Sequence, residues 1–268
     1  MLQQLRLFFT ALEYLTRLRK PQWVGFDAAW LPQSMSYLPV VGAVVGLGSA
    51  LVFWLALQFL PSNLAILAAI VAGMLMTGAL HEDGLADTCD ALGAGGSRER
   101  MLTIMQDSRV GTYGVLGLVS MLLARFLTLD WLPPTWVMFG LVVGHAWSRI
   151  GPLAMMASLA HVRSTGPSKA RGATTDVGWR AVAIGVGWGL VVLLGCLAIL
   201  VAGGHPWWIV APLCAGAGLA LLASMLAGLW AAQHLGGYTG DTLGAAQQCG
   251  ELVCYLAIVA IARNWSGA

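Results

Sequence analysis

Charge is what this sequence has least of. It holds 14 Lys and Arg and 12 Asp and Glu in 268 residues, 10% in all. A soluble domain carries about a quarter. With 58% hydrophobic residues the chain cannot cover a globule in water. That excludes a soluble enzyme and leaves a polytopic membrane protein. The net charge of +2 is too small to point to nucleic acid. Cysteine is scarce too: Cys89, Cys196, Cys214, Cys249 and Cys254 form no CxxC pair. A zinc site and a disulfide framework are therefore not expected. A basic start followed by an apolar run is missing as well, so no cleavable signal peptide is expected.

Apolar runs of membrane length are what the sequence has in plenty. A spanning helix needs about 20 mainly apolar residues. Seven runs qualify: 36–60, 64–80, 113–129, 136–159, 181–201, 207–232 and 242–261. The last contains Gln247, Gln248 and Glu251 and is the weakest of them. The 34 glycines suit close helix packing in a bilayer. Ahead of the spans, Leu2, Leu5, Phe9, Leu12 and Leu15 recur at steps of three or four. This spacing predicts an amphipathic N-terminal helix, lying on the membrane surface or packed on the bundle's rim. The expected fold is thus an all-α, polytopic transmembrane helical bundle of about seven spans, one catalytic domain over residues 1–268. No second domain or internal repeat is visible.

The basic residues orient it. Arg6, Arg17, Arg19 and Lys20 precede the first span, and Arg98, Arg100 and Arg109 follow the second. Arg163, Lys169, Arg171 and Arg180 follow the fourth. Alternating crossings put all three segments on one side, which the positive-inside rule makes cytoplasmic. Arg263, near an end expected outside, is the exception.

Between His81 and Gly114 the scarce charge is concentrated: Glu82, Asp83, Asp87, Asp90, Arg98, Glu99, Arg100, Asp107 and Arg109. If a helix continues through 81–92, Asp83, Asp87 and Asp90 share one face. Three carboxylates at that spacing repel one another unless a cation lies between them. Oxygen-only ligands point to a hard ion, Mg²⁺ or Mn²⁺. Gly93, Gly95 and Gly96 leave room for backbone N–H groups to approach phosphate. Arg98, Arg100 and Arg109 offer guanidinium groups for phosphate oxygens. The plainer reading is a solvated loop. Against it, an acid placed within a span costs about 2.5–3.5 kcal/mol on insertion scales. His81 is a minor candidate, as base or ligand.

Two further places stand out. On a helix starting near Asp241, the residues Gly244, Gln248 and Glu251 share a face. That stripe suits a metal or nucleotide pocket; alternatively Asp241 is an N-cap and Glu251 a buried neutral carboxyl. His145 and Arg149 lie one turn apart in an apolar run, where Arg149 must pair or bind phosphate. Balancing Glu251 is one such pairing. Arg163–Lys169 adds hydroxyls and cations, or serves only as a topology signal.

Taken in order, LTRL (15–18), YLPVVGAVVG (37–46), EDGLADTCDALG (82–93), RER (98–100), IMQDSRVGTYG (104–114), HAWSR (145–149), R-x-x-G (163–166) and GGYTGDTLGAAQQ (236–248) with Glu251 resemble the cobalamin synthase, or adenosylcobinamide-GDP ribazoletransferase, family. The likeness covers nearly the whole chain. Ala91 stands where a Gly often follows the acidic run, and Arg19-Lys20-Pro21 replaces a more apolar ending. The resemblance implies a Mg²⁺-dependent integral membrane enzyme with its site on the cytoplasmic face of the inner membrane. It would join adenosylcobinamide-GDP to α-ribazole, or its 5′-phosphate, and release GMP. Its partners would be these corrinoid nucleotide and ribazole substrates, the lipid bilayer and a possible homo-oligomer. By the same resemblance Glu82, Asp83, Asp87 and Asp90 supply metal ligands, and Asp107 is a further ligand or the base. Arg98, Arg109 and Arg149 would face phosphoryl oxygens, and Asp241 and Glu251 would complete the site. Two other readings compete. In a CDP-alcohol phosphotransferase Ala86 would be followed by Arg, where here it is followed by Asp87. An ion-coupled transporter would show an inverted repeat.

Overall fold

In the computed structural model, residues 1–162, 177–205 and 210–262 are described. The basic stretch Arg163–Lys169, Arg171, Pro206, Trp207 and Arg263 lie outside them. The described residues are helical and contain no strand; one isolated bridge joins His161 and Tyr238. The order is α1 (Leu2–Leu15), α2 (Trp30–Ser34), α3 (Leu38–Ala56), α4 (Ser62–Thr77), α5 (Leu80–Ala94) and α6 (Arg98–Ile104). It continues with α7 (Thr112–Asp130), α8 (Pro134–Trp147), α9 (Ile150–Ser158), α10 (Trp179–Ala202), α11 (Val210–Leu235) and α12 (Gly240–Ala262). The chain is an all-α membrane bundle.

The count of about seven spans is not confirmed. Five described helical segments are long and apolar enough to cross a bilayer, six if the bent pair α4 and α5 is one span. The run 136–159 is not one helix, because α8 ends at Trp147 and α9 begins at Ile150. Pro152 has no N–H to give the Ser148 carbonyl, so the ladder is interrupted there. The run ending at Leu80 also turns. Gly78 and Ala79 both adopt left-handed backbone (φ 66° and 57°). For Ala79 that conformation costs roughly 1–2 kcal/mol. The result is an 89° bend that swings α5 off the axis of α4.

The N-terminal helix takes the second of its two expected placements, packed on the bundle. Leu7, Ala11, Leu12 and Leu15 are buried, packed in a cluster with Met35, Tyr37, Val41 and Leu153. Leu2 and Leu5 are exposed. The helix docks its C-terminal half on the bundle, against α2 and the start of α3. The main core lies between α3, α4, α8, α11 and α12, around Phe53, Ile66, Leu141, Leu213 and Tyr255. The last helix, α12, runs unbroken through Gln247, Gln248 and Glu251, packed against α11 and α5.

Candidate functional site

The acidic stretch is helical, as its spacing predicts. Glu82 and Asp83 occupy the first turn of α5, where the helix dipole favours negative charge. The four acids of this helix then separate by environment. Asp83 is exposed and Asp87 half-buried, whereas Glu82 and Asp90 are buried.

Asp90 serves the next helix. Its two carboxylate oxygens accept from the backbone N–H groups of Gly111 (2.7 Å) and Gly114 (2.8 Å). These N–H groups open α7 and have no partner within their own helix. Asp90 is thus an N-cap delivered from another helix.

Glu82 faces inward, into a buried polar cluster. Arg125 of α7, 1% exposed, lies at its centre. Its guanidinium reaches Glu251 at 2.5 Å, Gln248 Oε1 at 3.0 Å and Glu82 at 3.5 Å. Glu251 is further surrounded by the Tyr255 hydroxyl (2.9 Å), Gln247 Nε2 (2.6 Å) and His145 Nδ1 (3.1 Å). Gln248 Nε2 donates to Glu82 at 3.1 Å. Arg149 is buried beside them but donates to the His145 carbonyl at 2.5 Å. Among the described residues no carboxylate lies within ion-pair distance of Arg149. The partner of Glu251 is therefore Arg125, a residue sequence reasoning passed over. The signal was present: Arg125 is the single basic residue in an apolar run of span length.

The remaining acids, exposed Asp83 and half-buried Asp87 on α5 and half-buried Asp241 on α12, meet where the two helices touch. Gly84 packs directly on the backbone of Asp241, and Gly244 on the backbone of His81. This close approach brings Asp241 beside Asp83 and Asp87, whose charges act on one another. Among the described residues none of the three has an ion pair to a basic group. His81 is buried behind them, within the field of Arg149 and Glu251.

The remaining predicted residues lie apart. Arg98 donates to the Leu235 carbonyl at 2.5 Å and so closes the C-terminus of α11. Arg109 is exposed and pairs with Asp107 at 2.6 Å. That guanidinium holds the Asp107 carboxyl at about 2, below its usual range. In this pairing Asp107 is a weak proton acceptor; moving Arg109 onto another anion would raise its basicity. Both line an open cavity of about 510 Å³, with Asp90, Ile104 and Tyr113.

Comparison with known proteins decides the family. The cobalamin-5-phosphate synthase family model matches residues 7–259. The chain belongs to the cobalamin-5-phosphate synthase family. Among its curated relatives is the adenosylcobinamide-GDP ribazoletransferase of Leptothrix cholodnii, 42% identical over 268 residues and 96% of each chain. The protein of the same name from Shewanella frigidimarina is 42% identical over 265 residues, covering 97% of this chain and 96% of its own. That of Shewanella pealeana is 38% identical over 266 residues and 98% of each chain. No solved structure gives a significant match.

In this cobalamin-5-phosphate synthase family member, no three acidic, histidine or cysteine side chains among the described residues converge closely enough to cage an ion. The open acids still suit Mg²⁺, which takes one or two carboxylates together with water and substrate phosphate. Glu82 and Asp90 suit it less, since Arg125, Gln248 and the α7 N-terminus already engage them.

Proposed function

We propose that this chain is an adenosylcobinamide-GDP ribazoletransferase. It joins adenosylcobinamide-GDP to α-ribazole or α-ribazole 5′-phosphate and releases GMP, late in cobalamin biosynthesis. The observation that carries the reading is the open acidic group Asp83, Asp87 and Asp241, assembled where α5 and α12 touch. The relatives' names give the reaction. A ribazole hydroxyl attacks the cobinamide-side phosphorus, the bond from that phosphorus to the GMP oxygen breaks, and GMP leaves. Phosphoryl transfer of this kind rests on positioning and charge neutralisation.

The chain's own groups have distinct tasks in it. One or two of Asp83, Asp87 and Asp241 would hold Mg²⁺, with substrate phosphate supplying further oxygens; the ion, when bound, would neutralise the phosphoryl charge. Arg109, exposed on the cavity rim, turns from Asp107 to a phosphate oxygen. Asp107, released, accepts the hydroxyl proton. Arg98 and Arg149 support the site through the end of α11 and the α8–α9 break. The basic residues ahead of α3 and between α5 and α7 support placing the site on the cytoplasmic face of the inner membrane.

The decisive experiment is GMP release by purified protein in detergent, given both substrates, with Mg²⁺ or with EDTA. GMP should appear only with both substrates and metal. Absence of GMP from folded protein overturns the reading.

A second prediction arises at the helix contact. A Cβ on Gly84 would lie 2.7 Å from the Asp241 carbonyl oxygen and 2.9 Å from its Cα. Gly84→Ala must therefore push α5 and α12 apart. A misplacement of about 1 Å costs on the order of 100-fold in rate, and that loss in GMP release is the expected result. Unchanged kcat would show that the α5–α12 spacing does not matter to the chemistry.

A further inference from the structure

Arg125 lies deeper than the open acids, yet it touches both helices that carry them. Its NH2 group reaches Glu251 on α12 at 2.5 Å, and its NH1 group reaches Gln248 on α12 and Glu82 on α5. Glu82 and Asp83 are neighbours in sequence, so they point about 100° apart around the helix. With Glu82 drawn inward to Arg125, Asp83 is turned outward, and Asp87, one turn on, follows it. The contact is not saturated. Arg125 Nε and Glu82 Oε2 are both buried without a hydrogen-bond partner. Glu251 therefore holds the guanidinium firmly, while Glu82 is held more loosely.

We propose that Arg125 is a positioning residue for the transfer reaction: it fixes the rotation of α5 about its own axis and so aims Asp83 and Asp87 at Asp241. This rests on the transferase reading given above. Arg125 does not touch the substrate; it acts through Glu82. One guanidinium fork engages three acceptors on two helices, which a single ammonium cannot reproduce. Arg125→Lys keeps the charge beside Glu251 and loses the hold on Glu82. Arg125→Met with Glu251→Gln removes the tight pair altogether, a change that buried ion pairs often tolerate without loss of stability.

The test compares wild type, Arg125→Lys and the double variant in detergent, by thermal unfolding, Mn²⁺ affinity from electron paramagnetic resonance without substrate, and GMP release. Arg125→Lys should unfold near the wild-type midpoint, and the double variant, which leaves Glu82 without a cation, below it. Mn²⁺ affinity and kcat should each fall about 10–100-fold, the usual effect of removing a group that orients a ligand. KM for the ribazole should stay within about twofold, as expected when ground-state binding is untouched. Stable variants with wild-type Mn²⁺ affinity and kcat would overturn the proposal and leave Arg125 a scaffold residue. If the double variant does not fold, Arg125→Lys decides alone. If wild type binds Mn²⁺ but releases no GMP, the transferase reading fails, and the proposal for this reaction with it; weaker Mn²⁺ binding in the variants would still show that Arg125 aims the acids. Failure of wild type to bind Mn²⁺ would overturn the proposal as well.

Discussion

Asp83→Ala is expected to lower GMP release by about 10²–10³-fold or more, the scale seen when one preorganised electrostatic group is removed, while the protein still inserts and folds. The two halves of that expectation come from one observation. The Asp83 side chain is exposed, and among the described residues its carboxylate has no hydrogen bond or ion pair. It supports no packing, so its removal should not move the thermal midpoint. Its charge acts on Asp87, one turn along α5, and on Asp241 across the α5–α12 contact. Under the proposed function its removal takes away a metal ligand and leaves the backbone where it was. Asp83→Asn keeps the shape and should lose as much. Activity is read as GMP formed per folded protein, with membrane yield and detergent unfolding as controls. Wild-type turnover by Asp83→Ala would remove the open acids from the mechanism.

Glu251→Ala should fail in the opposite way, through stability. Glu251 is fully buried, and the Arg125 guanidinium lies against it at 2.5 Å. Without it, Arg125 keeps only the more distant Glu82 at 3.5 Å and the uncharged Gln248. The Tyr255 hydroxyl loses its acceptor, and the Gln247 amide keeps only the Ser148 hydroxyl. Breaking one side of a buried pair costs about 3–5 kcal/mol. A strongly lowered unfolding midpoint and a poor membrane yield are therefore expected. An unmoved midpoint would mean that the cluster takes up water or rearranges, and that Glu251 is not the anchor of Arg125.

The two variants separate acids that look alike in the chain. Glu82 and Asp83 are adjacent, yet one is buried against Arg125 and the other is open. Asp83 and Asp90 were placed on one helix face by spacing, and α5 does form. Asp90 nevertheless spends both its oxygens on Gly111 and Gly114, 21 and 24 residues away. Helical periodicity shows which residues share a face. It does not show what that face meets.

Scarcity of charge and abundance of apolar runs were enough to set the class, an all-α membrane bundle, because a bilayer admits few chain solutions and composition reports the solvent directly. The motifs 82–93 and 236–248 were enough to suggest the family, and spacing was enough to predict the acidic helix. The break at Ser148–Arg149, the 89° turn at Gly78–Ala79, the partnership of Arg125 with Glu251 and the meeting of Asp241 with Asp83 were decided only by the tertiary structure. Arg125 and Glu82 lie 43 residues apart, and Gln248 and Glu82 lie 166 apart. Contacts over such separations depend on how helices bend and how closely two glycines let them approach, and neither is written in a local pattern.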